Sequence, residues 1–95
     1  MCPSDEYCNN IARQVQRYFR RPSDSRADRG DVCFRIARNG SVEDIDVQRL
    51  RGGFAFRLAL MEAVEQAALR NEFGPLPRGF GSEWLPVCVG VSPQA

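Results

Sequence analysis

Val32-Cys33-Phe34-Arg35-Ile36-Ala37-Arg38-Asn39-Gly40-Ser41-Val42-Glu43-Asp44-Ile45-Asp46-Val47 is the stretch whose reading decides the fold. Val32, Phe34 and Ile36 alternate with Cys33, Arg35 and Ala37, the period of a strand buried on one face. Asn39-Gly40 supplies the positive backbone angles of a two-residue hairpin turn. With Arg38 facing Ser41, Phe34 falls opposite Ile45 and Val32 opposite Val47, so the apolar residues of both strands share a face. On the other face Arg35 falls opposite Asp44 and Cys33 opposite Asp46, which gives a cross-strand ion pair.

Helical periods flank this hairpin. From Ser4 to Arg21, Tyr7, Ile11, Val15 and Tyr18 or Phe19 recur at three- and four-residue intervals and form one apolar face. Ser4 caps the start, and Asp5 and Glu6 suit the positive end of the helix dipole. Arg17, Arg20 and Arg21 suit its negative end, and Pro22 stops it. Residues 23–31 are polar and read as a surface loop. After Gly52-Gly53, residues 54–69 group Phe56, Leu60, Ala63, Val64 and Ala67 on a side that packs on the sheet. Glu62 and Glu65 point away with Leu58 and Leu69.

Residues 72–83 are rich in Gly and Pro and form a structured loop. It leads into a last strand, Trp84-Leu85-Pro86-Val87-Cys88-Val89-Gly90-Val91. Pro86 has no backbone donor, which puts this strand at a sheet edge or the proline at the beginning of the strand, where pairing is incomplete. Leu85, Val87, Val89 and Val91 face the helices, with Cys88 and Gly90 on the opposite face. The order helix, strand, strand, helix, strand predicts an α+β sandwich, two helices covering one face of a three-stranded antiparallel sheet.

Composition bounds the function. Ninety-five residues, 43% hydrophobic and 26% charged, suit one small globular domain over 1–95, with a core of about 5–93 and little room for a deep cleft. A net charge of +1 argues against a nucleic-acid module. All 13 basic residues are arginine, read as compositional bias. No apolar run approaches the roughly 20 residues of a membrane-spanning helix, and Met1-Cys2-Pro3-Ser4 has no signal-peptide hydrophobic region. With no histidine there is no Ser-His or Cys-His nucleophile system, and no glycine-rich phosphate signature occurs. Asp44 with Asp46, and Glu62 with Glu65, fall on solvated faces. The expectation is a domain with no catalytic residue, cofactor or metal site.

Tyr7 to Pro22, Gly40-Ser41-Val42 with Ile45 and Val47, and Gly52 through Ala63-Val64 to Pro75-Leu76-Pro77 together resemble the C-terminal domain of the TonB/TolA family. The resemblance runs from Tyr7 to Pro93. Gly52-Gly53 and Cys33 look closer to TolA. Leu58 stands where TolA relatives often place a second cysteine, and Leu50-Arg51-Gly52 where TonB relatives often show serine-serine-glycine. Arg57 replaces a commonly acidic residue.

The resemblance implies a periplasmic domain that couples inner-membrane energy to outer-membrane TonB-dependent receptors or to Tol-system proteins. Its membrane anchor and linker would lie upstream. It also implies that an extended segment of the partner pairs with the exposed strand, here Trp84, Leu85, Pro86, Val87, Cys88 and Val89, an edge that phage or toxins could exploit. The alternative is a static envelope scaffold, or a homodimer through the same edge. Four cysteines allow three complete pairings, and an oxidising periplasm would permit them. Cys33 and Cys88 share the outer sheet face, so adjacent first and last strands would let them bond, leaving Cys2 with Cys8. Unpaired thiols remain an equal reading.

Overall fold

The computed structural model describes residues 2–94. The elements follow as α1 (Asp5–Tyr18), β1 (Arg29–Ala37), β2 (Val42–Arg51), α2 (Phe54–Leu69) and β3 (Trp84–Val91). The strands form one antiparallel sheet in the order β2-β1-β3. The first strand is therefore central, and the second and third are the two edges. Both helices lie on one face of the sheet, giving the predicted α+β sandwich.

The core is the sum of the apolar faces. Ile11 and Val15 from α1 meet Phe56, Leu60, Ala63, Val64 and Ala67 from α2. Below them lie Val32, Phe34, Ile36, Leu85, Val89 and Val91 from the sheet. Phe73 and Leu76 of the 70–83 segment complete it, with the Phe73 ring stacked on Phe34 at 5.6 Å. Leu58 and Leu69 stay on the outer side of α2, as the helical spacing requires, and Phe54 joins them.

Ser4 caps α1 as expected, its Oγ accepting from the Tyr7 N–H at 3.1 Å. The helix ends at Tyr18, three residues before the predicted Arg21. Phe19 turns extended so that its ring meets Phe56 edge-on at 5.5 Å. Arg20 then caps the helix from outside, its Nη1 donating to the Arg17 carbonyl at 2.8 Å. Arg21 leaves the helix end and lies over the Phe19 and Phe56 rings, donating to the carbonyls of Ser25 and Ser92.

The turn differs from the expected two-residue hairpin. Gly40 N–H donates to Ala37 O, and Ala37 N–H donates to Ser41 O, so the loop has three residues, Arg38-Asn39-Gly40. Gly40 is left-handed at φ +92, and a Cβ there would stand 2.6 Å from the Gly74 carbonyl oxygen. The pairing therefore starts one residue off, with Arg35 opposite Glu43. A bulge at Asp44, φ +58, inserts one residue in β2 and restores the predicted register. Beyond it Cys33 faces Asp46 and Val32 faces Val47. The predicted one-to-one pairing of Phe34 with Ile45 is lost inside that bulge.

The first strand begins at Arg29, inside the stretch read as loop. Gly30 hides the alternation because its inward position carries no side chain, and it lies beneath Leu50 and Leu60. A second register shift, with Arg49 at φ +51, bends the far end of β2. Gly52 then lets the backbone pass Asp28, where any Cβ would meet the carboxylate at 2.6 Å. Asp28 Oδ2 accepts from Gly53 N–H at 3.4 Å. This carboxylate stands in for the side-chain cap that the start of α2 lacks.

Candidate functional site

The outer edge of β3 is open, and its eight residues pair with β1 without a register shift. Opposed residues in an antiparallel pair alternate between exchanging both main-chain hydrogen bonds and turning both groups away. Cys33 and Cys88 oppose each other with Cα atoms 4.0 Å apart, the close spacing of a pair that turns away. Leu85, Val87, Val89 and Val91 thus bond inward to β1. Trp84, Pro86, Cys88 and Gly90 point their main-chain groups outward.

Three contacts agree with this assignment. Ala37, opposite Trp84, uses both its groups in the hairpin. Gly90 O accepts from the Gln16 side chain at 3.4 Å. Trp84 N–H donates to Ser82 Oγ at 3.3 Å. Pro86 therefore occupies a position whose missing N–H would have faced outward, which is how an edge strand accommodates proline. The outward donors without a partner among the described residues are Cys88 and Gly90. The Trp84, Pro86 and Cys88 carbonyls are the matching acceptors.

The six residues singled out by sequence divide by face. Leu85 and Val89 are only 2% and 6% exposed and belong to the core, so they offer an incoming segment no side-chain surface. Val87 is half-buried beside them. Trp84, Pro86 and Cys88 lie on the face away from the helices. Gly90, with its outward donor, continues the edge beyond the predicted limit at Val89. The signal that finds it is the two-residue alternation from Cys88 combined with the central position of β1.

On the outer face Cys88 is bonded to Cys33, and Cys2 is bonded to Cys8. Arg35, beside the first of these, lies over the Trp84 ring with its guanidinium carbon 4.4 Å from the centroid. Its Nη2 pairs with Asp44 Oδ2 at 2.8 Å, so the predicted ion pair forms although the backbone partner is Glu43. The ion pair holds Arg35 over the indole, so the guanidinium covers one side of Trp84.

The opposite sheet edge is less accommodating. The two register shifts along β2 interrupt its ladder, and Glu43, Asp44, Asp46, Arg49 and Arg51 crowd it with charge. Bulges and charges are the usual means by which an edge strand is kept from pairing.

The phenols with shifted pKa lie away from both edges, where α1 meets the 70–83 segment. Burial raises the pKa of Tyr7, whose OH donates to Gly74 O at 3.1 Å. The hydrogen bond from Tyr18 OH to Glu72 Oε2, 2.6 Å, raises that of Tyr18, with desolvation adding to it. Among the described residues no group of three or more His, Cys, Asp or Glu side chains is placed to hold a metal ion, and no helix is long and apolar enough to cross a membrane.

Comparisons with known proteins agree with this architecture. Two solution structures of the TonB C-terminal domain from Helicobacter pylori superpose on the chain. The first, at 25% sequence identity, has a TM-score of 0.71 and covers 97% of this chain and 83% of that one. The second, a shorter fragment at 26% identity, has a TM-score of 0.64 and covers 94% of this chain and 96% of that one. No curated protein sequence matches. The sequence pattern of the family described as TonB C terminal matches residues 4–87. With that match over most of its length and the same two-helix, three-strand sandwich, the chain belongs to the TonB C-terminal family.

Proposed function

We propose that this chain acts as one periplasmic protein-binding domain of a TonB-type energy transducer. It grips an extended segment of an outer-membrane receptor by adding it as a fourth strand along β3. The observation that carries the reading is the contrast between the two sheet edges. The β3 edge is regular over Trp84–Val91 and offers unpaired outward donors, whereas the β2 edge is bulged twice and charged. Trp84 and Pro86 supply apolar contact beside that backbone, and main-chain hydrogen bonds supply the hold. Binding by backbone pairing needs no catalytic group, and none is assigned.

The test is a titration of the isotope-labelled domain with extended peptides from candidate outer-membrane receptors and from periplasmic Tol-system proteins, following each backbone amide. Shifts concentrated on residues 84–91 with receptor peptides support the reading, and the same shifts with Tol-system peptides would move the partner to that system. A concentration-dependent dimer with no response to any peptide would replace it by a static scaffold.

A further inference from the structure

The gripping strand is poorly anchored by its own chain connections. Between Leu69 at the end of α2 and Trp84 the chain has no helix or strand. Residues 70–83 are held by Phe73 and Leu76 in the core, by the Leu76 N–H on Arg38 O, and by Arg38 Nη2 donating to the carbonyls of Phe80 and Ser82. Beyond Val91 the holds are equally non-covalent, with Arg21 on Ser92 O at 2.7 Å and Gln94 N–H on Arg26 O at 2.8 Å. Pulled from outside, β3 is held to β1 by ladder hydrogen bonds and core packing alone, and once these give it leaves the sheet. Residues 70–83 would then pay out roughly 50 Å of chain at full extension. The whole domain is 43 Å long. A transducer with that much slack would spend its pull on its own unravelling.

We propose that the Cys33–Cys88 disulfide is the clamp that removes this slack. It joins the middle of the gripping strand directly to the central strand, at a register pair, on the face left free by both helices. Load taken up by β3 then passes into β1 through a covalent bond, bypassing residues 70–83. The cross-strand position matters. Cys88 turns its main chain outward to the incoming segment while its side chain is tied back to β1, so one residue both binds and is anchored. The clamp contributes to holding under force and not to recognition, because the bonded sulfurs lie off the strand edge. This inference rests on the reading of β3 as the gripping edge.

The test pulls the full chain from its two ends in optical tweezers, oxidised and as Cys33→Ser/Cys88→Ser. In the variant, β3 and residues 70–83 are expected to come away as a separate early step that lengthens the molecule by up to roughly 80 Å before the helical layer gives. The oxidised chain should show no such step. A variant that unfolds in one step at the force of the oxidised chain overturns the clamp. If the double variant does not fold, the Cys2→Ser/Cys8→Ser chain, folded oxidised and then reduced with dithiothreitol in the trap, reads the same step with the same two outcomes. In parallel, extended receptor peptides are titrated without force against both oxidised and clamp-free forms. Equal affinity is expected. Binding lost on removal of the disulfide would make it a recognition element and overturn the clamp. Peptides that bind neither form overturn the grip reading and the proposal with it, whereas equal binding with no early step overturns the clamp alone.

Discussion

The guanidinium of Arg35 lies over the indole of Trp84, 4.4 Å from carbon to ring centroid, while Asp44 holds its far side at 2.8 Å. Three strands meet in this contact, Trp84 from β3, Arg35 from β1 and Asp44 from β2. It orients the aromatic at the start of the candidate edge. Arg35→Ala should loosen Trp84, shift its fluorescence to the red and weaken peptide binding several-fold. The stability cost should be modest, about 0.5–1 kcal/mol, because the arginine is 40% exposed. Arg35→Lys should recover little of this, since a compact ammonium neither stacks on the ring nor holds the same geometry. Fluorescence and a peptide titration on the same samples check both statements.

The in-and-out alternation of β3 separates two proline substitutions that a sequence reading would treat alike. Gly90→Pro removes an outward donor and fills the approach of a partner strand. Its Cβ would lie 3.1 Å from Asp31 Oδ1, a partly exposed side chain that can shift. Val89→Pro removes an inward donor from the β1 ladder. The first should abolish most peptide binding and leave the domain folded. The second should lower stability by on the order of 2–3 kcal/mol, with binding lost only as a result. Thermal melts paired with binding isotherms distinguish the two.

The two faces of α2 make opposite expectations. Leu60 is fully buried between helix and sheet, and Leu60→Ala should cost about 2–5 kcal/mol. Leu58 is 39% exposed on the outer side, and Leu58→Ala should stay within about 0.5 kcal/mol of the parent. Urea titrations give both values, and a large effect of Leu58 would point to a covered helix surface.

Alkaline stability follows from the two phenols. The native pKa values of Tyr7 and Tyr18 are raised above the ordinary tyrosine value, so the folded state holds these protons more tightly than the unfolded chain. Their contribution is complete below the unfolded value near pH ~10 and is lost as pH rises through the raised native values. Denaturation midpoints should fall above that pH, and Tyr7→Phe with Tyr18→Phe should flatten the fall.

Much of this fold is legible in the sequence because the strong signals are local. The apolar periods of both helices, the alternation of Val32, Phe34 and Ile36, and the last strand from Trp84 each lie within one element. What escapes sequence reading depends on residues far apart. Asp28 caps α2 across 25 positions, and Arg21 reaches Ser92 across 71. The turn at Asn39-Gly40 carries glycine in the left-handed position, but either a two- or a three-residue loop can use it there. The bulge at Asp44 then corrects the register, so Val32 and Val47 meet as predicted although the turn differs. The candidate edge was legible as a strand, but not which of its residues look outward. That follows only once β1 is known to be its neighbour and Cys33 its partner.

The central claim is that an extended partner adds to the outer edge of β3. Amide hydrogen exchange of the domain with and without a receptor-derived extended peptide tests it most directly. In the free domain, Leu85, Val87, Val89 and Val91 should be protected by the β1 ladder, while Cys88 and Gly90 exchange rapidly. The account expects the peptide to protect Cys88 and Gly90 and to leave the inward set unchanged. Protection gained along β2 or on α2, with Cys88 and Gly90 still exchanging freely, would contradict it.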